Sequence, residues 1–242
     1  MPRLTDHGHS AEEIRARLSS KPKPSYLKDI VLGGIDGAVT TFAIVAGVVG
    51  AGLSARVILI LGIANLIADG FSMAAGNYSG TKAELDDYHR LIDVEKRHIA
   101  ENPEGEREEV RQILAAKGLQ DETLEIATQS IISDRQRWLD IMVAEEYGRV
   151  DTNLSPLHAG LATFIAFFIC GAVPLLPYLF AQDNAFTMAI VSTGIVFLGI
   201  GGLKSYWSLA PAWKSAVETL LIGGIAAATA YALGLFLDSV VI

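Results

Sequence analysis

The sequence predicts an all-α protein, built as a five-span transmembrane helical bundle with a cytoplasmic helical insert between spans two and three. Four long stretches contain no Asp, Glu, Lys or Arg, and a fifth contains only Asp69. A helix needs about 20 mostly apolar residues to cross the hydrocarbon core of a bilayer, and buried helices of soluble proteins are usually shorter. The five apolar stretches are residues 37–55, 57–81, 152–182, 184–203 and 219–237.

The formal net charge of -8 is concentrated in one part of the chain. Residues 82–151 hold 18 acidic and 10 basic side chains, a net charge of -8. The rest of the chain has equal numbers of acidic and basic side chains. An acidic segment of this kind attracts cations and disfavours nucleic acid as a partner. The single cysteine, Cys170, excludes an intrachain disulfide or a thiolate metal cluster.

The basic residues predict the orientation in the membrane. Of the 19 Lys and Arg residues, 18 lie in the N-terminal tail, the acidic insert and the loop 204–214, and only Arg56 lies in another loop. Because basic residues favour the cytoplasmic side, we expect the N-terminus and insert inside and the C-terminus outside. No targeting extension precedes the first span, which favours a bacterial cell membrane. The expected divisions are a tail (1–28), spans one and two (29–81), the insert (82–155) and spans three to five (156–242).

Helix-breaking residues predict where the helices end. Residues 82–101 contain no Pro or Gly and read as one helix of the insert, followed by a break over residues 102–105. Gly148 is expected to end the last insert helix. Pro174 and Pro177 should kink or interrupt span three.

Polar side chains form a stripe inside the first two predicted spans. Asn65, Asp69 and Met73 are spaced by four residues, so they share one face of span two, and Asp36 lies at the start of span one. Carboxylate and amide oxygens suit hard cations, and a thioether adds affinity for softer transition metals. The stripe is either a metal path or a structural feature, in which Asp69 pairs with another helix and Met73 packs.

The acidic insert offers three pairs of metal ligands at helical spacing. A carboxylate and an imidazole at positions i and i+3 also occur in di-iron carboxylate bundles. Each pair alone is weak, because acidic residues on a surface helix are usually just solvated, but three pairs in one insert predict a metal-binding insert. The pairs are Glu95 with His98, Glu106 with Glu109, and Met142 with Glu146.

Several sequence runs together resemble the vacuolar iron transporter family, which includes the yeast calcium-cross-complementing transporter. The resemblance extends in order over about residues 26–238 and is more specific than any ligand pair. The runs that carry it are Asp36-Gly37, Ser72-Met73-Ala74-Ala75-Gly76-Asn77-Tyr78, Lys82-Ala83-Glu84, Trp138-Leu139-Asp140-Ile141-Met142 with Glu146, Pro174-Leu175-Leu176-Pro177-Tyr178, Ser215-Ala216-Val217-Glu218-Thr219 and Ile222-Gly223-Gly224.

The resemblance implies five-span dimers that export ferrous iron, and often manganese, from the cytoplasm in exchange for protons. Spans one and two then line a pore between the subunits, where Asp36 and Met73 match the family's pore aspartate and methionine. The family's insert ligands fall on Glu95, Glu106, Glu109, Met142 and Glu146.

The chain departs from the family pattern at three positions. Asn65 stands where plant members have a pore glutamate, and Asp69, one turn further, could supply its charge. His98 replaces an insert glutamate, which retains a ligand and shifts the preference toward softer ions. Val143 stands at the position of a second methionine.

We therefore predict a secondary transporter rather than an enzyme: a proton-coupled exporter of Fe²⁺ or Mn²⁺. Its partners would be membrane lipid, divalent metal ions, protons and a second copy of the chain, with no permanently bound cofactor. The alternative hypothesis is a membrane-anchored, di-iron-like ferroxidase or a metal-sensing helical bundle. Asp69 and Met73 favour transport, because a mere anchor needs neither.

Overall fold

The computed structural model describes residues 8–19, 24–180, 183–205 and 211–241. All regular structure in these ranges is helical, without a β-strand, which confirms the predicted fold class. Parts of the predicted tail, residues 1–7 and 20–23, lie outside the described residues. The helices are α1 (Ala11–Ser19), α2 (Leu27–Gly50), α3 (Ala55–Glu101), α4 (Pro103–Ala116), α5 (Asp121–Ile132), α6 (Arg135–Glu145), α7 (Pro156–Ala172), α8 (Leu176–Phe180), α9 (Ala185–Ser205) and α10 (Ala212–Val241).

Five helical segments are long and apolar enough to cross a membrane, as the sequence predicted. They are α2, the apolar part of α3, the segment Pro156–Phe180, α9 and α10. The chain forms two compact units, one of residues 80–153 and one of the described residues before and after it. We refer to the first as the insert and to the second as the membrane unit.

In the membrane unit, α2 packs on α7, α9 and α10. Close approach of α2 to α7 depends on two glycines. A Cβ added at Gly33 would meet the carbonyl oxygen of Thr163, and one at Gly37 would meet that of Phe167. Small residues permit such backbone contact between membrane helices, where packing replaces the hydrophobic effect as a source of association.

The apolar core of the membrane unit lies where α2, α3 and the third span meet. Phe42 and Val45 of α2, Leu66 of α3 and Phe167 of α7 are all buried in it. Pro174 lies in a short 3₁₀-helix, Val173–Leu175, that separates α7 from α8, so the predicted interruption of span three is confirmed.

The helix α3 is continuous for 47 residues. At 1.5 Å per residue it is about 70 Å long, more than twice the hydrocarbon thickness of a bilayer. Its apolar part belongs to the membrane unit, and its last 22 residues, from position 80, belong to the insert.

The predicted break over residues 102–105 is wrong in its extent, because α4 already begins at Pro103. Proline is tolerated in the first helical turn, where its missing N–H has no intrahelical partner to lose. Asn102 is the N-cap, and its side-chain oxygen accepts a hydrogen bond from the Gly105 amide at 3.3 Å. Only one residue therefore separates α3 from α4.

The insert folds around its own apolar cluster, which includes Ile99, Val110 and Trp138. Charged contacts join α5 to α4, because the Glu125 carboxylate accepts hydrogen bonds from Arg107 at 2.9 Å and Arg111 at 2.6 Å. The last insert helix ends at Glu145, three residues before the predicted end at Gly148, and Gly148 has a positive φ of 63° in the turn that follows.

Candidate metal sites

The insert brings together a carboxylate–imidazole–carboxylate cluster from two helices. Glu95 and His98 lie one turn apart on α3, and Glu106 lies in the first turn of α4, just past the Asn102 cap. One ligand atom from each of the three residues lies within 4.8 Å of the other two. The Nδ1 atom of His98 is 3.6 Å from Oε1 of Glu95 and 3.7 Å from Oε1 of Glu106.

The two glutamates of this cluster are buried, and their carboxylates have fewer hydrogen-bond partners than their oxygens can accept. Glu95 is 0% exposed and Glu106 is 5% exposed, and the Oε2 atom of each is buried without a hydrogen bond. No described Lys or Arg lies within ion-pair distance of either carboxylate; among the residues described, only the imidazole of His98 lies at that distance. Buried charges in proteins are normally paired or bound to metal, so these oxygens indicate a cation site.

Electrostatic repulsion within the insert leads to the same conclusion. Burial and the negative charges of Glu109 and Glu95 together raise the pKa of Glu106 to about 7. Burial also raises the pKa of Glu146, with Glu95 and Glu109 contributing in the same direction. A divalent cation would relieve this repulsion and keep the carboxylates ionised.

The remaining predicted insert ligands differ in their surroundings. Glu109 and Glu146 are exposed and close enough to act electrostatically on Glu106, so they surround the buried pair with negative charge. Met142 is 0% exposed and packs in the apolar cluster with Ile99 and Val110. A role for these three side chains as ligands stays a prediction.

The structure adds Tyr147, which the sequence analysis did not identify. Its hydroxyl donates a hydrogen bond of 2.9 Å to Oε1 of Glu95. Burial and this hydrogen bond raise the pKa of the phenol, so Tyr147 remains a donor at neutral pH. Tyr147 and Glu95 are 52 positions apart, and the one sequence signal is that Tyr147 follows the predicted ligand Glu146.

In the membrane unit, the predicted stripe borders an open groove. Asn65 and Asp69 line it together with apolar and small side chains, and Asp36 on α2 lies within electrostatic range of Asp69. The Asn65 amide donates weakly to the hydroxyls of Thr40, at 3.3 Å, and Thr41, at 3.5 Å. The remaining side chains that line the groove are Ile44, Leu61, Ala64, Ala68 and Ser72.

Met73 has a different environment from the rest of the stripe. It is half-buried and packs against the apolar core of the membrane unit. Met73 therefore lies one helical turn from Asp69 on α3, as the four-residue spacing predicted, but its thioether also packs against apolar side chains. Packing and a place in an ion path remain compatible for this residue.

A second polar cluster in the membrane unit was not predicted. Asp29 of α2 is 7% exposed, and its Oδ1 accepts a 2.8 Å hydrogen bond from the Asn77 amide of α3. The same amide nitrogen lies 2.7 Å from Oγ1 of Thr163 and 3.1 Å from the carbonyl oxygen of Ala159, both on α7. The cluster therefore joins three spans through neutral donors. Asn77 continues the four-residue spacing of the stripe, which could have indicated it.

The fold and these sites define a multi-pass helical membrane protein whose insert gathers metal-ligating side chains. The profile of the VIT family matches residues 27–235. The chain is 33% identical to Vacuolar iron transporter 1 of Eucalyptus grandis over 93% of this chain and 94% of that protein. It is 35% identical to Vacuolar iron transporter of Centaurea cyanus, over 85% of each chain. It is 32% identical to Vacuolar iron transporter of Toxoplasma gondii, over 89% of this chain and 76% of the relative.

The profile match covers most of the chain, and the plant relatives match along nearly their whole length. The chain therefore belongs to the VIT family, and the resemblance found from its sequence runs is confirmed.

Proposed function

We propose that this protein is a proton-coupled exporter of divalent metal that moves ferrous iron, manganese or both out of the cytoplasm. The observation that carries the proposal is a pair of buried glutamates, Glu95 and Glu106, each with one carboxylate oxygen that lacks a hydrogen bond, beside His98 in a five-span protein. The choice of iron is supported by the names of the relatives, which are iron transporters. Manganese is included because it takes the same oxygen and imidazole ligands.

The ion path we propose follows spans one and two. Asn65 and Asp69 offer oxygen atoms along an open groove, and Asp36 lies within electrostatic range of Asp69. Met73 lies one turn beyond Asp69 on the same helix. Charged side chains inside a membrane are costly and usually mark an ion path or a paired contact. No described Lys or Arg forms an ion pair with Asp36 or Asp69, which favours a path over a structural pair. A carboxylate that binds a metal ion and a proton in turn provides the exchange mechanism, because the two compete for one site.

A homodimer would complete this path. The groove that holds Asn65 and Asp69 is open on the surface of the single chain, and an ion there would face lipid. Dehydrating an ion against hydrocarbon is prohibitive, so the open side needs a cover. A second copy with the same groove, related by two-fold symmetry, would enclose the path with matching carboxylates. Small residues at the groove, such as Ala64 and Ala68, favour close helix contact.

We also propose that the insert faces the cytoplasm and receives the ion before export. The 18-to-1 division of basic residues supports this orientation. The proposed ligands of the insert are the six predicted side chains: Glu95, His98, Glu106, Glu109, Met142 and Glu146. In this scheme the acidic insert raises the local cation concentration on the side from which ions leave.

The test is metal flux in proteoliposomes with an imposed proton gradient. An inside-acid gradient should drive Fe²⁺ or Mn²⁺ into vesicles that contain the protein with its insert outside, with proton release matching metal uptake. Metal flux that is the same with and without the proton gradient would contradict proton coupling. Absence of metal flux would contradict transport.

The same vesicles address the ferroxidase alternative, which the Glu95–His98–Glu106 cluster keeps open. Oxygen consumption and formation of Fe³⁺ are followed while Fe²⁺ is supplied. Transport predicts uptake of Fe²⁺ with no oxygen consumption above that of protein-free vesicles. Oxidation of Fe²⁺ without uptake would favour the membrane-anchored enzyme.

A further inference from the structure

We propose that Asn77 is a positioning residue for the ion path: by bonding to Asp29 it holds α3 against α2 at the register that sets the spacing of Asp36 and Asp69. The proposal rests on the proposed path through Asp36 and Asp69. Its geometric basis is the 2.8 Å hydrogen bond from the Asn77 amide to Oδ1 of Asp29, a carboxylate that is 7% exposed.

Three polar contacts between α2 and α3 follow one antiparallel register. In order along α3 they are Asn65 with Thr40, Asp69 with Asp36, and Asn77 with Asp29. From the first contact to the second, the position rises by four on α3 and falls by four on α2; from the second to the third it rises by eight and falls by seven. At 1.5 Å per residue, the last step is about 12 Å on one helix and about 11 Å on the other. The contacts therefore lie along one pair of facing helix surfaces, and a shift at one would move the others.

The middle contact is repulsive, and the outer two are attractive. Asp36 and Asp69 repel each other when both are ionised, and no described Lys or Arg forms an ion pair with either. On one side, the Asn65 amide is a weak donor at 3.3 Å or more. On the other side, the Asn77 amide bonds at 2.8 Å to the carboxylate of Asp29, and hydrogen bonds to charged acceptors are the stronger class. Asn77 thus supplies the stronger polar contact that keeps the two path carboxylates together before an ion binds.

Asn77 is anchored on α7 as well as on α2. Its amide nitrogen lies 2.7 Å from Oγ1 of Thr163, which is fully buried. The helix α7 also approaches both partners closely, because a Cβ added at Gly160 would meet the carbonyl oxygen of Ala74 on α3, and one at Gly33 on α2 would meet that of Thr163. The contact therefore joins α3 to a packed pair of helices rather than to a single side chain.

The spacing of the two carboxylates matters most for binding the ion. A divalent cation held by both needs an oxygen of each within about 2 to 2.6 Å. If the Asn77 contact is lost, Asp36 and Asp69 can move apart, so the metal binds more weakly and the KM for uptake rises. A loss of stability alone instead reduces the number of active molecules, which lowers the maximal rate and leaves KM unchanged.

The experiment measures the initial rate of Fe²⁺ uptake against Fe²⁺ concentration, without oxygen, in proteoliposomes with an imposed inside-acid gradient. The variants are Asn77→Ala, Asp29→Ala and Asp29→Asn, each assayed well below its melting temperature. The two Asp29 variants separate the bond from the charge, because alanine removes both, whereas asparagine removes the charge and keeps an oxygen that can accept from Asn77. Phe197→Leu, at a buried contact of α9 with Gly223 of α10, is the control for lost stability.

We expect Asn77→Ala and Asp29→Ala to raise KM about tenfold, in line with the effect of other groups that orient a metal ligand. Asp29→Asn should keep a KM close to that of the wild type, and Phe197→Leu should lower the maximal rate at the wild-type KM. A wild-type KM in either folded alanine variant would overturn the proposal. If Asp29→Asn raises KM as much as Asp29→Ala, the charge of Asp29 acts on the ion itself, and the positioning role is overturned.

Thermal melts in detergent check that each variant retains the fold. Asn77→Ala leaves a buried charge without its donor; if it does not fold, the two Asp29 variants, which carry no charge at that position, decide the outcome by themselves. Absence of Fe²⁺ uptake by the wild type would overturn the proposed function and this proposal with it. Uptake by the wild type with an unchanged KM in the alanine variants overturns only the role of Asn77.

Discussion

The insert and the membrane unit hold their acidic side chains in opposite ways. In the insert, Glu95 and Glu106 are buried and each keeps an oxygen without a partner. In the membrane unit, the buried Asp29 accepts from Asn77, whereas Asp69 borders an open groove. A buried carboxylate oxygen without a hydrogen-bond partner indicates a cation site. An open groove on the surface of one chain indicates a site that a second chain completes. The contrast predicts that the insert binds metal within one subunit, while transport requires two.

The largest expected effect concerns the membrane path. Asp36→Asn keeps the shape of the side chain but removes its charge, so we expect metal flux to fall to the level of protein-free liposomes. The measurement is Fe²⁺ and Mn²⁺ uptake in proteoliposomes, with Asp238→Asn at the exposed end of α10 as the control. Metal binding by the insert should remain. Wild-type flux in Asp36→Asn would mean that ions take another route.

The second effect is on the pH dependence of insert stability without metal. The pKa of Glu106 rises from 4.5 to about 7 on folding, so between these pH values the folded insert holds a proton that the unfolded chain has lost. The contribution of Glu106 to stability should therefore be complete below pH 4.5 and be lost as the pH rises through 7, a change on the order of 3 kcal/mol. Hydrogen exchange of the α4 amides measures it.

Two further measurements decide whether ionisation of Glu106 causes this pH dependence of stability. Glu106→Gln has no charge to bury and should flatten the pH profile, and bound Mn²⁺ should restore stability near pH 7 by pairing with the carboxylates. A metal-free Glu106→Gln variant with the same pH profile as the wild type would contradict this account, because the pH dependence would then come from other groups.

The third prediction tests the opposite arrangement in the membrane unit. Asn77→Ala leaves the buried Asp29 carboxylate without its amide donor and removes the link to α7, so we expect a loss of about 1 to 3 kcal/mol in stability. The measurement is thermal unfolding in detergent, with Thr187→Ala, an exposed site within α9, as the control. The Mn²⁺ affinity of the insert should stay at its wild-type value. An unchanged melting temperature would mean that water replaces the amide.

The fourth prediction concerns metal affinity in the insert. Replacing Glu95 or Glu106 by Gln removes one charged ligand, and we expect Mn²⁺ affinity to fall at least about tenfold, which is about 1.4 kcal/mol. Calorimetric titration of the full-length protein measures it, with the exposed Glu122→Gln of α5 as the control. If both variants bind Mn²⁺ as the wild type does, the cluster is structural and its repulsion is relieved in another way.

The sequence alone could predict the membrane unit because lipid imposes a length on every span. Five stretches almost free of charge became five candidate spans, and Pro174 interrupted the third as expected. The insert is less constrained, and there the break over residues 102–105 was drawn too wide, because a proline in the first helical turn was read as part of a loop.

The sites were predictable only in part. Spacing within one helix indicated Glu95 with His98 and Asn65 with Asp69, because residues three or four apart share a face. It could not show that Tyr147 reaches Glu95, or that Asn77 joins Asp29 to Thr163, since these partners are separated by between 48 and 86 positions. Such contacts follow from packing, which periodicity does not encode.

The smallest expected effect concerns Met73. It tests whether this residue belongs to the proposed ion path or only to the apolar core of the membrane unit. Met73 is half-buried and packs on the apolar core, yet it lies one turn beyond Asp69. Met73→Leu keeps the packing volume but removes the polarisable sulfur, which matters more to Fe²⁺ than to harder ions. We expect Fe²⁺ flux to fall by a few-fold while Mn²⁺ flux changes less. Met188→Leu on α9, an exposed methionine away from the groove, is the matched control and should transport both ions at the wild-type rate. Equal loss of both ions in Met73→Leu would indicate a packing defect, and no loss of either would place the sulfur outside the path, leaving Asp36 and Asp69 as the groups that contact the ion.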